Sequence, residues 1–124
     1  MNKKISIAID AMGGENAPLK TIGGINEFIK RNKSLDDFLI KIYGDVEKIK
    51  SELSKFNIEQ KFFQIIHSEG VVSDNETPLT AIKNSKNTSM WNCVSSQLDA
   101  ESDISLSAGN TGIISYFEDD IKNN

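Results

Sequence analysis

Six residues, ISIAID, run straight into a loop rich in small and polar residues, and a helical pattern follows at once. Ile5, Ile7 and Ile9 alternate with Ser6 and Ala8, the period of two expected of a strand with a buried face. The loop DAMGGENAP, residues 10–18, holds two glycines, an acid, an amide and a proline. After it, Leu19, Ile22, Ile25, Phe28 and Ile29 recur three and four apart, which predicts one face of a helix running to about Arg31. Pro18 suits the first turn of that helix. A strand that feeds a helix through a short glycine loop places the chain in the α/β class.

The same alternation continues downstream. Phe38 to Tyr43 predicts a second strand ending at Gly44 and Asp45, and Val46, Ile49, Leu53 and Phe56 share one side of the helix that follows. Phe62 to Ile66 predicts a third strand, ending at His67. From Thr77 to about Leu98 the propensity is helical, but the polar run from Asn84 to Ser89 prefers caps and turns, so two helices are expected. Ile104 to Ala108 predicts a fourth strand, broken by Gly109, Asn110, Thr111 and Gly112 before the apolar patch Ile113, Ile114, Tyr116 and Phe117. This order is the one that right-handed crossovers wind into a Rossmann-like parallel sheet with helices on both faces. Gly23 and Gly24 lie inside the first helical pattern, each costing about 1 kcal/mol against alanine. Close packing of that helix on the sheet is the expected reason.

At 124 residues the chain is long enough for one small domain. Its net charge of −4 and scattered lysines leave no basic footprint for nucleic acid. Cys93 is the only cysteine, which excludes an internal disulfide, and its neighbours Trp91 and Val94 suit a buried, inert thiol. The opening MNKKISIAID is too short and too polar for the apolar region of a signal peptide. No stretch approaches the run of about 18 apolar residues that a membrane helix needs.

In parallel sheets ligands gather at the carboxyl ends of strands. DAMGGENAP follows the first strand there, and SAGNTG, residues 107–112, follows the fourth. Both are small-residue loops able to aim backbone N–H groups at an anion, with a helix dipole adding favourable charge. Glycine serves where backbone must approach a ligand or adopt positive φ. Neither loop is a dinucleotide or P-loop fingerprint, which weakens a nucleotide-binding reading. A phosphate-sized anion site and two tight turns that merely cap helices both fit these loops. Glu69, Asp74 and Glu76 have no clustered His or Cys partners, so no metal site is expected. His67 reads as a hydrogen-bonded structural histidine at the same edge.

ISIAIDAMGGENAP resembles the opening of the bacterial phosphate acyltransferases of phospholipid synthesis, the PlsX family. YGDVEKIK, IIHSEGVVSDNETPLTAIKNSKNTSM and DISLSAGNTG resemble three further blocks of that family, in the same order. The resemblance implies an α/β/α sandwich like those of isopropylmalate dehydrogenases and phosphate acetyltransferases, truncated here. It implies transfer of a fatty acyl group from acyl carrier protein to inorganic phosphate, without a cofactor, giving acyl phosphate. Such chemistry needs a cradle for the phosphate and donors for the oxyanion, and no protein nucleophile. On that basis Asn110, Ser107 and Thr111 are assigned to catalysis. Gly109 and Gly112 complete the cradle, and Asp10, Gly13, Gly14 and Asn16 form its neighbouring wall. Asp10 either orients a donor or caps its own turn. Lys83, Lys86 and Ser89 match the family's basic stretch and would hold phosphate or the acidic carrier protein, although solvated surface lysines are the commoner outcome. The resemblance further implies a cytoplasmic protein, a homodimer in the full-length family, and peripheral contact with a membrane-bound glycerol-phosphate acyltransferase.

Residues 1–112 thus read as the N-terminal part of the acyltransferase α/β domain and 113–124 as a divergent tail. Past Gly112 the family continues in a small-residue helix, whereas IISYFEDDIKNN follows here, as an early stop or frameshift would leave. The competing expectation is a non-catalytic remnant that binds an anion or a partner. Its sheet would expose an edge and an apolar face.

Overall fold

The computed structural model describes residues 4–14, 16–32, 35–69 and 88–107. The strands are β1 (Ile5–Asp10), β2 (Phe38–Gly44), β3 (Phe63–His67) and β4 (Ile104–Ser107). The helices are α1 (Leu19–Arg31), α2 (Val46–Leu53) and α3 (Ser89–Leu98). All strand pairs are parallel, in the order β3-β2-β1-β4.

Central β1 sets the register. Ile7 and Ile9 stand beside Ile40 and Ile42 of β2 on one side and beside Ile104 and Leu106 of β4 on the other. Partners across a parallel pair share a face, so one face of the sheet is continuously apolar. Ile22 and Ile25 of α1 and Ile49 of α2 bury that face together with Ile40 and Ile42. Each such isoleucine contributes about 1.5–3 kcal/mol by leaving water. On the opposite face, Ala8 and Tyr43 pack against Cys93 of α3.

The starts of the described helices differ in how they are capped. Asp45 caps α2, its carboxylate accepting from the backbone N–H groups of Glu47 and Lys48. Thr88 caps α3 by accepting from the Trp91 N–H at 3.1 Å. Pro18 precedes α1 as its N-cap and offers no side-chain acceptor. Gly44 is required by close approach: a Cβ there would stand 2.7 Å from Met12 Cγ and 3.0 Å from Ile49 Cδ1.

Three expectations need correction. Phe62 belongs to a 3-10 turn, Gln60–Phe62, rather than to β3. Phe56 lies beyond the end of α2, though it still packs on the core. The glycine pair of α1 is not explained by close packing, because a Cβ on Gly23 or Gly24 would meet nothing within 4 Å. Ala108 and the helix expected from Thr77 fall outside the described residues. Among the described residues, no helix is long and apolar enough to cross a membrane.

Candidate functional site

The strand order reverses beside β1. The chain passes from β1 to β2 and β3 on one side, then returns to lay β4 on the other. Crevices at such reversals, at the carboxyl ends of the strands, are where open α/β sheets bind ligands. Here the reversal brings Asp10 and Ser107 into register as neighbours.

Asp10 is the centre of this edge and only 2% exposed. Its Oδ1 accepts from the Met12 N–H at 3.0 Å and from the Ser89 hydroxyl at 2.5 Å. Its Oδ2 accepts from the Ser107 hydroxyl at 2.8 Å. Three donors offset the several kcal/mol that burying a carboxylate costs. One acid thereby ties the tip of β1, the start of α3 and the end of β4. Its chemical effect is to fix where the Ser89 and Ser107 oxygens sit and which way their protons point.

The loop after β1 turns through left-handed backbone at Gly14 (φ 87°) and Asn16 (φ 57°), residue types that tolerate it. Gly13 is buried between them and Asp10. The loop then delivers the chain to α1, whose first turn faces the same cleft through Thr21. Ile9, Asp10, Thr21, Leu106 and Ser107 line this cleft, of about 300 Å³.

Two neighbouring groups are chemically quiet. Cys93 is fully buried, and burial, followed by the nearby Asp10 carboxylate, pushes its thiol up to about 12. A thiol so raised supplies no thiolate at neutral pH and no nucleophile. His67, at the end of β3, accepts the Val46 N–H on Nδ1 at 3.2 Å, helping to seat α2. Among the described residues, no group of His, Cys, Asp and Glu has metal-binding geometry.

Of the residues expected from the sequence, Asp10, Ser89 and Ser107 come together by direct hydrogen bonds, and Gly13, Gly14 and Asn16 form the adjoining loop. Lys83, Lys86, Gly109, Asn110, Thr111 and Gly112 lie outside the described residues. Sequence reasoning missed Thr21 and Leu106 as cleft walls. Thr21 was legible as the polar residue between Leu19 and Ile22 in the first turn of α1. Leu106 was not, because its place beside Ile9 depends on a register set far along the chain.

Residues 5–116 match a family described as fatty acid synthesis protein. The chain is 43% identical over 114 residues to a phosphate acyltransferase of Pelagibacter ubique (strain HTCC1062), a match covering 92% of this chain and 33% of that protein. It is 35% identical over 108 residues to a phosphate acyltransferase of Clostridium acetobutylicum, covering 87% of this chain and 32% of that protein. It is 40% identical over 108 residues to one of Streptococcus uberis, covering 87% and 30%. The chain spans about a third of the length of these curated relatives.

Proposed function

Since the chain belongs to the fatty acid synthesis protein family, we propose that its switch-point cleft is part of a phosphate acyltransferase site. The reaction moves a fatty acyl group from the thioester of acyl carrier protein to inorganic phosphate, giving acyl phosphate for phospholipid synthesis. A phosphate oxygen attacks the thioester carbonyl, the C–S bond breaks, and the carrier thiolate leaves and takes up a proton. No covalent enzyme intermediate is needed, so positioning and oxyanion stabilisation carry the rate.

The observation that supports this reading is the meeting of the loop after β1 with the end of β4 at the strand reversal, with Asp10 holding a serine from each neighbouring element. In this reading Asp10 is a positioning residue. It directs the hydroxyl protons of Ser89 and Ser107 inward, so oxyanion donation falls to Asn110, Thr111 and the backbone N–H groups of Gly109 and Gly112. Gly13, Gly14 and Asn16 shape the wall through which α1 presents its N-terminal N–H groups. Lys83 and Lys86 hold phosphate or the acidic carrier. Residues 1–112 act as the N-terminal part of the catalytic domain, and 113–124 as a tail. Homodimerisation and contact with a membrane-bound acyltransferase belong to the same proposal.

Trapping acyl phosphate with hydroxylamine tests it, using acyl carrier protein thioester and phosphate with the purified chain. Product is expected, with a loss of about 10²–10³-fold in Asn110→Ala, the scale of one oxyanion donor. An unchanged rate in that variant removes the SAGNTG assignment. The left-handed turn at Gly14 and Asn16, a backbone shape that suits an anion nest, favours a second reading, anion binding without turnover. Calorimetric phosphate binding with no hydroxamate at high protein concentration selects it.

A further inference from the structure

The first turn of α3 holds the carboxyl edge of the sheet at two points. Ser89 donates to Asp10, and Asn92, three residues on, donates from Nδ2 to the Ser68 hydroxyl at 2.9 Å. Residues three apart on a helix stand about 5–6 Å apart at Cβ, so Asn92 carries that edge one helical turn away from the switch-point cleft. A second pocket lies there, of about 290 Å³, lined by His67, Ser68, Glu69 and Asn92. Ser68 is only 3% exposed, and its hydroxyl fixes the Asn92 amide while leaving Oδ1 unspent. The bond from the Val46 N–H to His67 Nδ1 fixes the imidazole as well. A neutral ring that accepts on Nδ1 carries its proton on Nε2, so His67 offers the pocket a donor and has no lone pair left for proton transfer. Among the described residues, neither His67 Nε2 nor Asn92 Oδ1 meets a hydrogen-bond partner.

One fixed donor and one fixed acceptor in the same pocket complement a secondary amide, whose carbonyl accepts from the first and whose N–H donates to the second. An anion suits the pocket poorly, because the Glu69 carboxylate stands on its wall and Asp45 directly precedes the residue that His67 holds. The neighbouring cleft selects among amides. A carrier-protein thioester hangs from a pantetheine arm, in which a short ethylene spacer joins the sulfur to a secondary amide. With the thioester at the Asp10 edge, that amide falls within reach of a pocket one helical turn away. We propose that His67 and Asn92 bind the sulfur-proximal amide of the pantetheine arm, His67 Nε2 donating to its carbonyl and Asn92 Oδ1 accepting from its N–H. This role rests on the proposed acyl-transfer reading, but it is read out as binding rather than turnover.

Titrating the 124-residue chain with pantetheine while following backbone amide shifts by NMR tests this. Saturable shifts are expected at His67, Ser68 and Asn92. His67→Asn keeps an acceptor oxygen for the Val46 N–H but has no Nε2 donor, and Asn92→Ala removes the acceptor. Each is expected to raise the dissociation constant about three- to tenfold, the scale of one hydrogen bond, with helicity by circular dichroism unchanged. An analogue with an ester in place of the sulfur-proximal amide lacks the N–H. It is expected to bind the parent chain more weakly than pantetheine does, and to bind Asn92→Ala no worse than the parent. Absence of saturable shifts at these residues overturns the proposal, as does undiminished binding of the ester. Triglycine bound as tightly as pantetheine assigns the pocket to a peptide segment and overturns it too. Pantetheine binding without acyl phosphate removes the reaction and keeps the subsite, whereas acyl phosphate without pantetheine binding does the reverse.

Discussion

Two aspartates stand at the carboxyl ends of neighbouring strands, Asp10 at the tip of β1 and Asp45 just past β2. Asp45 is partly exposed and spends its carboxylate on N–H groups two and three residues ahead. Asp10 is buried and reaches 79 and 97 residues along the chain, to Ser89 and Ser107. The first is a local cap of the kind common at helix starts. The second holds distant elements at the edge where open α/β sheets generally bind ligands. Position at a strand end therefore does not separate a cap from a tertiary anchor; burial and the sequence distance of the partners do.

The largest expected effect comes from Asp10→Ala, which removes the buried acceptor shared by two hydroxyls and one backbone N–H. It will destabilise the chain by about 3 kcal/mol in urea unfolding, from the cost of unmet buried hydrogen bonds. Asp45→Ala will cost clearly less, and equal losses would erase the contrast between the two acids. A double-mutant cycle sharpens it further. Asp10→Ala and Ser89→Ala will show a coupling of about 1–2 kcal/mol, while Asp45→Ala and Ser89→Ala, which share no contact, will be additive.

The smallest effect is electrostatic. The backbone N–H of Lys48, ahead of that of Glu47, holds the Asp45 carboxyl below its ordinary value. A group depressed in the folded state contributes stability that is fully present above its unfolded value of about 3.9 and is lost as pH falls through the folded value. Asp45→Asn keeps a capping oxygen but does not titrate. Its stability measured across pH 2–6 will therefore fall less steeply at the acid end than that of the parent chain.

What the sequence made legible divides along the same line. β1, α1, β2 and α2 follow from periods of two and three to four, because local burial repeats at those spacings. The Asp45 cap sits where capping residues are expected. Phe62 is not separable from β3 in the sequence, because an apolar residue next to a strand carries no mark of a 3-10 turn. Gly23 and Gly24 mislead because glycine in a helix reports only that something is unusual, not whether the space beside it is full or empty. At the site, Asp10, Ser89 and Ser107 are singled out by the resemblance. Their mutual hydrogen bonds did not, since no spacing rule links residue 10 to residues 89 and 107.

Those long reaches also set an order of assembly. β1 finds β2 through one short crossover and β2 finds β3 through another, so three strands can close with little loop entropy lost. The β1–β4 pair, with Asp103 accepting the Ser6 N–H and Ser107 donating to Asp10, closes a loop of 97 residues at each link. Non-local contacts of that kind form late. During synthesis the tip of β1 therefore waits, its acid facing water, until the fourth strand has left the ribosome. The tip of β1, made first, is thus the part of the sheet whose partners arrive last in the chain.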